Sequence, residues 1–156
     1  MQSTISRDKH MKKLLVQLFF PACLLLPAFL QAASEAFDDY TVYYQAVNST
    51  FLNADIADQY GIARGDRRAF LNISIMKTET NGSIHAVSAN VSGGKRNLLG
   101  QVGDISFTEI REENAIYYIG EFDFSNAEIV RFSIDVQPEQ RGEVYEVRWE
   151  TQMYNN

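Results

Sequence analysis

The sequence predicts an all-β fold: an antiparallel β-sandwich of immunoglobulin-like architecture, with about seven strands and one short helical turn. Three observations carry this. From Phe37 onward, apolar and polar residues alternate in short runs with the period of two that marks half-buried strands. Turn sequences such as Asn81-Gly82 and Pro138-Glu139-Gln140-Arg141-Gly142 separate the runs at fairly regular spacing. Only one stretch, NSTFLNADIADQYGIARGDRRAFLNISI from Asn48 to Ile75, interrupts the alternation with anything helical. The hallmarks of a true immunoglobulin domain are missing, because no cysteine pair exists and Trp149 falls on the last strand.

Residues 1–34 read as an N-terminal extension and a secretory signal peptide. Met11-Lys12-Lys13 supplies a positive start, LLVQLFFPACLLLPAFL an apolar core, and Gln31-Ala32-Ala33-Ser34 a small-residue exit. Translation from Met11 would give the same signal. Cleavage is expected between Ala32 and Ala36, and Pro21 and Pro27 favour removal over an uncleaved anchor. Cys23, the single cysteine, leaves with the signal; a lipid-bearing Cys23 would put LLLPAFL where a polar tether belongs. The mature domain, 35–156, then has no thiol, and so no disulfide, thiolate metal site or cysteine nucleophile.

The first 34 residues hold four of the fourteen Lys and Arg and one of the twenty Asp and Glu, so the remainder carries ten and nineteen, a formal charge of −9. An acidic surface argues against nucleic acid and against anionic membrane as partners. No stable membrane insertion is expected once the signal is removed. Residues 35–156 suffice for one domain with one core.

Phe37 to Val47 is the first predicted strand, with Tyr40, Val42, Tyr44 and Ala46 on one face. Asn48-Ser49-Thr50 turns the chain. Asn53 to Gly61 then reads as one short helix: Asn53 caps it, Asp55 sits at its positive end, and Gly61 closes it in the left-handed conformation. Leu52 and Ala57 form a weak staple, and Ile56 and Tyr60 share the face expected to press on the sheet. Arg64-Gly65-Asp66 is read as a surface turn rather than an adhesion motif, since three residues recur by chance. Arg67 and Arg68 extend a basic patch, with pairing to Asp55 or Asp58 as its plainest use.

Arg68 to Thr78 is the second strand, with Ala69, Leu71, Ile73 and Ile75 on one face. Asn81-Gly82 signals a tight hairpin whose two central residues take positive φ. Ile84 to Val91 returns as the third strand. Ser92 to Asp104 reads as a glycine-punctuated connection with Leu98, Leu99 and Val102 dipping into the core. Ile105 to Arg111 and Ala115 to Phe124 make the next hairpin. Ile129 to Gln137 and Glu143 to Tyr154 close the domain, with Val130, Phe132, Ile134, Val136, Val147 and Trp149 inward.

Two sets of residues carry a family resemblance. The first is Val42 to Leu52 (VYYQAVNSTFL) with Ala57 and Tyr60-Gly61-Ile62; the second is Leu71-Asn72-Ile73-Ser74, Asn97-Leu98-Leu99-Gly100 and Ile116 to Gly120. With these the chain resembles the bacterial domain-of-unknown-function family 4426, short exported proteins of Gram-negative bacteria. The resemblance spans nearly the whole mature chain and departs at Gly65-Asp66, where a serine-type turn is expected. It implies a periplasmic address and a small β-rich domain, and no activity.

No catalytic residue, metal ligand or cofactor is assigned. A triad needs a histidine base, and the mature chain offers only His85, with Ser88 on the opposite strand face. Zinc lacks ligands for the same reason, and Asp38-Asp39 and Asp55/Asp58 lack calcium-loop spacing. Glu109, Glu112, Glu113, Glu121 and Asp123 gather in one hairpin, but paired-carboxylate chemistry requires one member with a raised pKa in a cleft. The candidate binding residues are Arg64, Arg67, Tyr60 and Asn48, in and beside the irregular stretch, because loops on rigid scaffolds carry most contacts. The sequence thus suggests a periplasmic, non-enzymatic contact module for an envelope protein or polymer. The rival is a small carboxylate-dependent hydrolase or lyase. An exposed aromatic patch would favour the first, and a polar cleft joining Arg64 or Arg67 to an acid the second.

Overall fold

The computed structural model describes residues 32–155. The signal features at Met11–Lys13 and Cys23 lie outside the described residues. The first half of the domain holds β1 (Ala33–Phe37), β2 (Tyr40–Asn48), a 3-10 turn (Ser49–Phe51), helix α1 (Ala54–Tyr60), β3 (Arg68–Thr78) and β4 (Ile84–Ala86). The second holds β5 (Ala89–Asn97), β6 (Val102–Asp104), β7 (Phe107–Glu112), β8 (Ala115–Asp123), β9 (Glu128–Pro138) and β10 (Tyr145–Met153). One sheet has the order β1-β2-β3-β8-β7, with β4 also paired to β3; the other has the order β10-β9-β5-β6. Every pairing is antiparallel. The expected all-β sandwich is present.

Its core follows from the alternation. Ala69, Leu71, Ile73 and Ile75 on β3 and Val130, Phe132, Ile134 and Val136 on β9 are buried in one cluster. Burying each large aliphatic side chain stabilises the fold by about 1.5–3 kcal/mol. Aromatic contacts join the sheets: Tyr44 lies 4.6 Å from Trp149 between ring centroids, and Phe122 meets Phe132 edge-on at 5.1 Å. Tyr118 adds a polar joint where the chain leaves one sheet for the other. Its hydroxyl accepts from the Ala89 N–H at 2.7 Å and donates to Glu109 at 2.7 Å.

The strands number ten because three short ones escape the pattern. A turn at Asp38, with φ 48°, splits β1 from the first predicted strand. The third predicted strand breaks between β4 and β5, which belong to different sheets. The expected 92–104 connection is largely strand: β5 runs to Asn97 and pairs with β9 on one side and β6 on the other. Leu98, Leu99 and Val102 are correspondingly 58%, 85% and 69% exposed, not core. Asn97 explains the first two: its side-chain oxygen accepts from Leu99 and Gln101 N–H groups and closes a polar turn that holds both leucines out. The Asn81-Gly82 hairpin is wider than expected, since Thr78 pairs with Ile84 and only Gly82 of the two takes positive φ.

The helix matches its capping signals. Asn53 Oδ1 accepts from the Asp55 N–H at 2.8 Å, and Gly61 sits at φ 68°. The face it buries differs. Ala57 is fully buried with Ile62 and Phe70, while Ile56 is 42% exposed and Tyr60 half-buried. Tyr60 still packs against this cluster from its edge, so only Ile56 leaves the expected face.

Candidate functional site

One end of the domain opens as a cavity of about 600 Å³ lined by Arg64, Arg67, Arg68 and Lys95. Its remaining wall includes Asp123, Glu128, Asn97, Gln101 and Ser125, with buried Phe124 and Val130 among its lining. Three parts of the chain converge there: the segment from Arg64 to Arg68, the end of β5 with the turn into β6, and the stretch from the end of β8 to the start of β9.

The arginine segment is held through its backbone. Ser49, fully buried, accepts from the Gly65 N–H at 3.0 Å and donates to the Gly65 carbonyl at 3.2 Å. That carbonyl also accepts from the Arg68 N–H at 3.0 Å, and the Arg67 carbonyl accepts from the Phe124 N–H at 3.0 Å. The guanidiniums therefore project from a fixed loop. Arg64 donates to the Thr50 carbonyl at 3.2 Å, and Arg68 pairs with Asp123 at 3.5 Å, both groups well exposed. Among the described residues, Arg67 has no hydrogen bond or ion pair through its side chain, and neither Asp55 nor Asp58 is its partner.

Lys95 comes from the inward row of β5, after Val91 and Gly93. Its ammonium donates to the Asp123 carbonyl and lies 5.6 Å from the centre of the Phe122 ring. Opposite, Glu128 accepts from the Ser125 N–H at 2.7 Å and from the Asn97 amide at 2.8 Å. Burial pulls the Glu128 carboxyl upward, but these two donors and the Lys95 charge outweigh it and hold the carboxyl below the ordinary range. It is an ionised wall, not a proton donor.

The structure thus brings Arg64 and Arg67 into one cavity and places Tyr60 and Asn48 elsewhere. Tyr60 lines a second hollow of about 370 Å³ between α1 and the outer face of the first sheet, with Ile56, Phe70 and Tyr117, and its hydroxyl donates to Glu112. Asn72 Oδ1 in that hollow is buried without a hydrogen-bond partner. Asn48 is buried and its amide donates to the Tyr154 carbonyl at 2.7 Å, tying β2 to the end of the chain. Lys95 is the residue that sequence reading missed. A lysine on the inward row of a strand is a signal, but one visible only after Ser92–Asn97 is recognised as strand.

A polar cleft does join both arginines to acids. A paired-carboxylate reaction needs one of those acids with a raised pKa. Of the two, Glu128 is held below the ordinary carboxylate range by its donors and Lys95, and Asp123 pairs with Arg68, whereas acid catalysis wants a carboxyl raised. Of the hairpin carboxylates, Glu121 accepts from the Ala63 N–H and Asp123 pairs with Arg68. Among the described residues no group of three or more His, Cys, Asp or Glu stands together as a metal site.

Comparison with known proteins adds a family and a fold. The model of a domain of unknown function, DUF4426, matches residues 34–156. A crystal structure of a DUF4426 family protein from Pseudomonas aeruginosa PAO1 is similar at 26% identity and TM-score 0.70, covering 82% of this chain and 98% of that one. FetP of uropathogenic E. coli strain F11, recombinantly expressed in the periplasm, is similar at TM-score 0.59 and 9% identity, covering 81% of this chain and 95% of FetP. A copper-bound variant of the same FetP gives TM-score 0.55 at 9% identity, covering 80% and 91%. At 9% identity the likeness to FetP concerns the fold alone. No curated protein sequence matches the chain.

Proposed function

We propose, from the premise that this chain belongs to the DUF4426 family of domains of unknown function, that it is an exported, periplasmic contact module that binds an envelope protein or polymer through its end cavity. One observation carries the reading. A domain with a formal charge of −9 from Glu35 on places four of its ten cations around the end cavity, three of them from the loop after α1 and the start of β3. Like charges brought together repel, so such a cluster costs stability and is consistent with a surface kept for an acidic partner. The backbone clamp by Ser49 supports it further, because a pre-ordered loop loses less entropy on binding.

The address rests on the N-terminal signal pattern and the family resemblance. In the same direction, no helix among the described residues is long and apolar enough to cross a membrane. A non-enzymatic role is favoured over the carboxylate-dependent one because Glu128 in the cleft is held below the ordinary carboxylate range and Asp123 is paired with Arg68.

The test is the double substitution Arg64→Ser with Arg67→Ser, scored for melting temperature and for capture of periplasmic partners by the tagged protein. Neither side chain supports the core, so the melting temperature should stay within a few degrees, as for ordinary surface substitutions. Capture should be lost. Capture that survives the double substitution removes the arginines from the function.

A further inference from the structure

The charge and shape of the end cavity also specify what chemical group it takes. Four cations, Arg64, Arg67, Arg68 and Lys95, face two carboxylates, Asp123 and Glu128. The surplus is two positive charges. Two of the cations are already engaged with Asp123, Arg68 through its carboxylate and Lys95 through its carbonyl, and Arg64 is steadied by the Thr50 carbonyl. Arg67 alone keeps its whole guanidinium fork unpaired, on a backbone pinned by Phe124. A planar fork of N–H donors matches the paired oxygens of carboxylate or phosphate. A single carboxylate would leave one positive charge uncompensated, while a phosphate monoester near neutral pH carries close to the two negative charges required.

We propose that this cavity is a binding site for a phosphate-type dianion, with the Arg67 guanidinium as its main ligand and Arg64 and Lys95 completing the positive wall. The proposal rests on the reading of the cavity as the contact surface and names its ligand. The hollow is far larger than a phosphate. Its other side offers the Gln101 amide, steadied by the Asn97 Nδ2 that donates to it at 2.7 Å, and the Ser125 hydroxyl, groups that hydrogen-bond to alcohols. The favoured ligand is therefore a phosphate ester of a hydroxylated carrier, either soluble or as a lipid headgroup.

Isothermal titration of the exported protein with inorganic phosphate, glycerol phosphate and acetate at low ionic strength tests the charge rule, and co-sedimentation with phosphatidylcholine vesicles containing phosphatidic acid separates the two sources. Glycerol phosphate should bind about tenfold or more tighter than acetate, and Arg67→Gln should lose about tenfold, the worth of a hydrogen bond to a charged group. Arg111→Gln, on β7 and outside the cavity, is the control for net charge and should leave the affinity unchanged. Added salt should weaken binding by screening. Binding in solution without sedimentation assigns a soluble ester; sedimentation that needs phosphatidic acid and Arg67 assigns a headgroup. Acetate binding as tightly as phosphate, or Arg67→Gln binding unchanged, overturns the proposal. No phosphate binding combined with loss of partner capture in the Arg64→Ser, Arg67→Ser protein also overturns it, yet leaves the contact reading standing. Arg67-dependent phosphate binding with capture intact does the reverse.

Discussion

Tyr118 shows how much one side chain settles in this domain. Burial first, then its bond to Glu109, pushes the phenol up to about 12. The same bond, helped by Arg111 and only partly opposed by burial, holds Glu109 below its ordinary value of 4.5. A carboxyl with a depressed folded pKa contributes stability above its unfolded pKa and loses that contribution as pH falls through the folded value. Tyr118→Phe should therefore destabilise by ~1–3 kcal/mol at neutral pH, because the buried Ala89 N–H is left without an acceptor. In urea titrations from pH 7 downward, the wild-type midpoint should fall more steeply below pH 4.5 than that of the variant. Parallel curves would show that the Tyr118–Glu109 bond contributes nothing in solution. Phe132 is the apolar counterpart, 2% exposed between Phe122 and Trp149. Phe132→Ala should cost ~3–5 kcal/mol in the same assay, the usual range for removing a buried ring. A loss under about 1 kcal/mol would be that of a surface position.

At the scale of elements, β5 is the strand on which the second sheet depends, since it carries β9 on one edge and β6 on the other. Gly93 makes this possible. Its φ is 145°, and a Cβ there would stand 2.2 Å from the Ser133 carbonyl oxygen of β9. Gly93→Ala must force the two strands apart as well as strain the backbone. Each effect costs about 1–3 kcal/mol, so a loss of several kcal/mol is expected in chemical denaturation. Hydrogen exchange should accelerate through β5, β6 and the facing half of β9 while β2 and β3 stay protected. Exchange unchanged in β6 would mean that the β5–β9 contact does not hold that edge in place. Because Lys95 and Asn97 lie two and four residues further along the same strand, the variant should also disturb the end cavity.

For the whole molecule, the proposed signal cut falls against β1. Ala33–Phe37 pairs along its full length with β2, and the Phe37 ring stacks on Tyr145 at 4.8 Å. A signal cut after Ala32 leaves every one of these pairs intact; a cut after Ala36 removes all but Phe37. The intact mass of protein recovered from the periplasm should accordingly correspond to a start between Ala33 and Phe37, and within that range nearest Ala33. Full-length protein retained in the inner membrane would contradict processing altogether. The charge of the molecule is organised at this scale too. On an acidic exterior the cations concentrate at the end cavity and at a neighbouring hollow lined by Lys95, Arg96, Arg131 and Arg148, and these are where anionic ligands are drawn.

What the sequence determined by itself is what short-range rules govern. The period-two runs gave β3, β9 and β10 with their inward faces, and β8 as a strand, because alternation is a property of one strand. Asn53 and Gly61 gave the helix ends, because a cap satisfies groups within a single turn. The −9 charge is composition, legible without any fold. Tertiary structure alone decided the rest. The switch of sheets between β4 and β5 is set by Val87 bonding to Ile75 and Ala89 bonding to Tyr118, partners far away along the chain. Ala57 rather than Ile56 became the buried helix residue because it is the one that meets Phe70 of β3 and Ile62, a contact made by folding the helix back on the sheet. Arg64 and Arg67 share a hollow with Lys95, while Tyr60, closer to them in sequence, lies across the sheet. Adjacency along the chain does not fix which side of a sheet a residue reaches. That depends on where neighbouring strands pair, and pairing is a long-range choice made by the whole core.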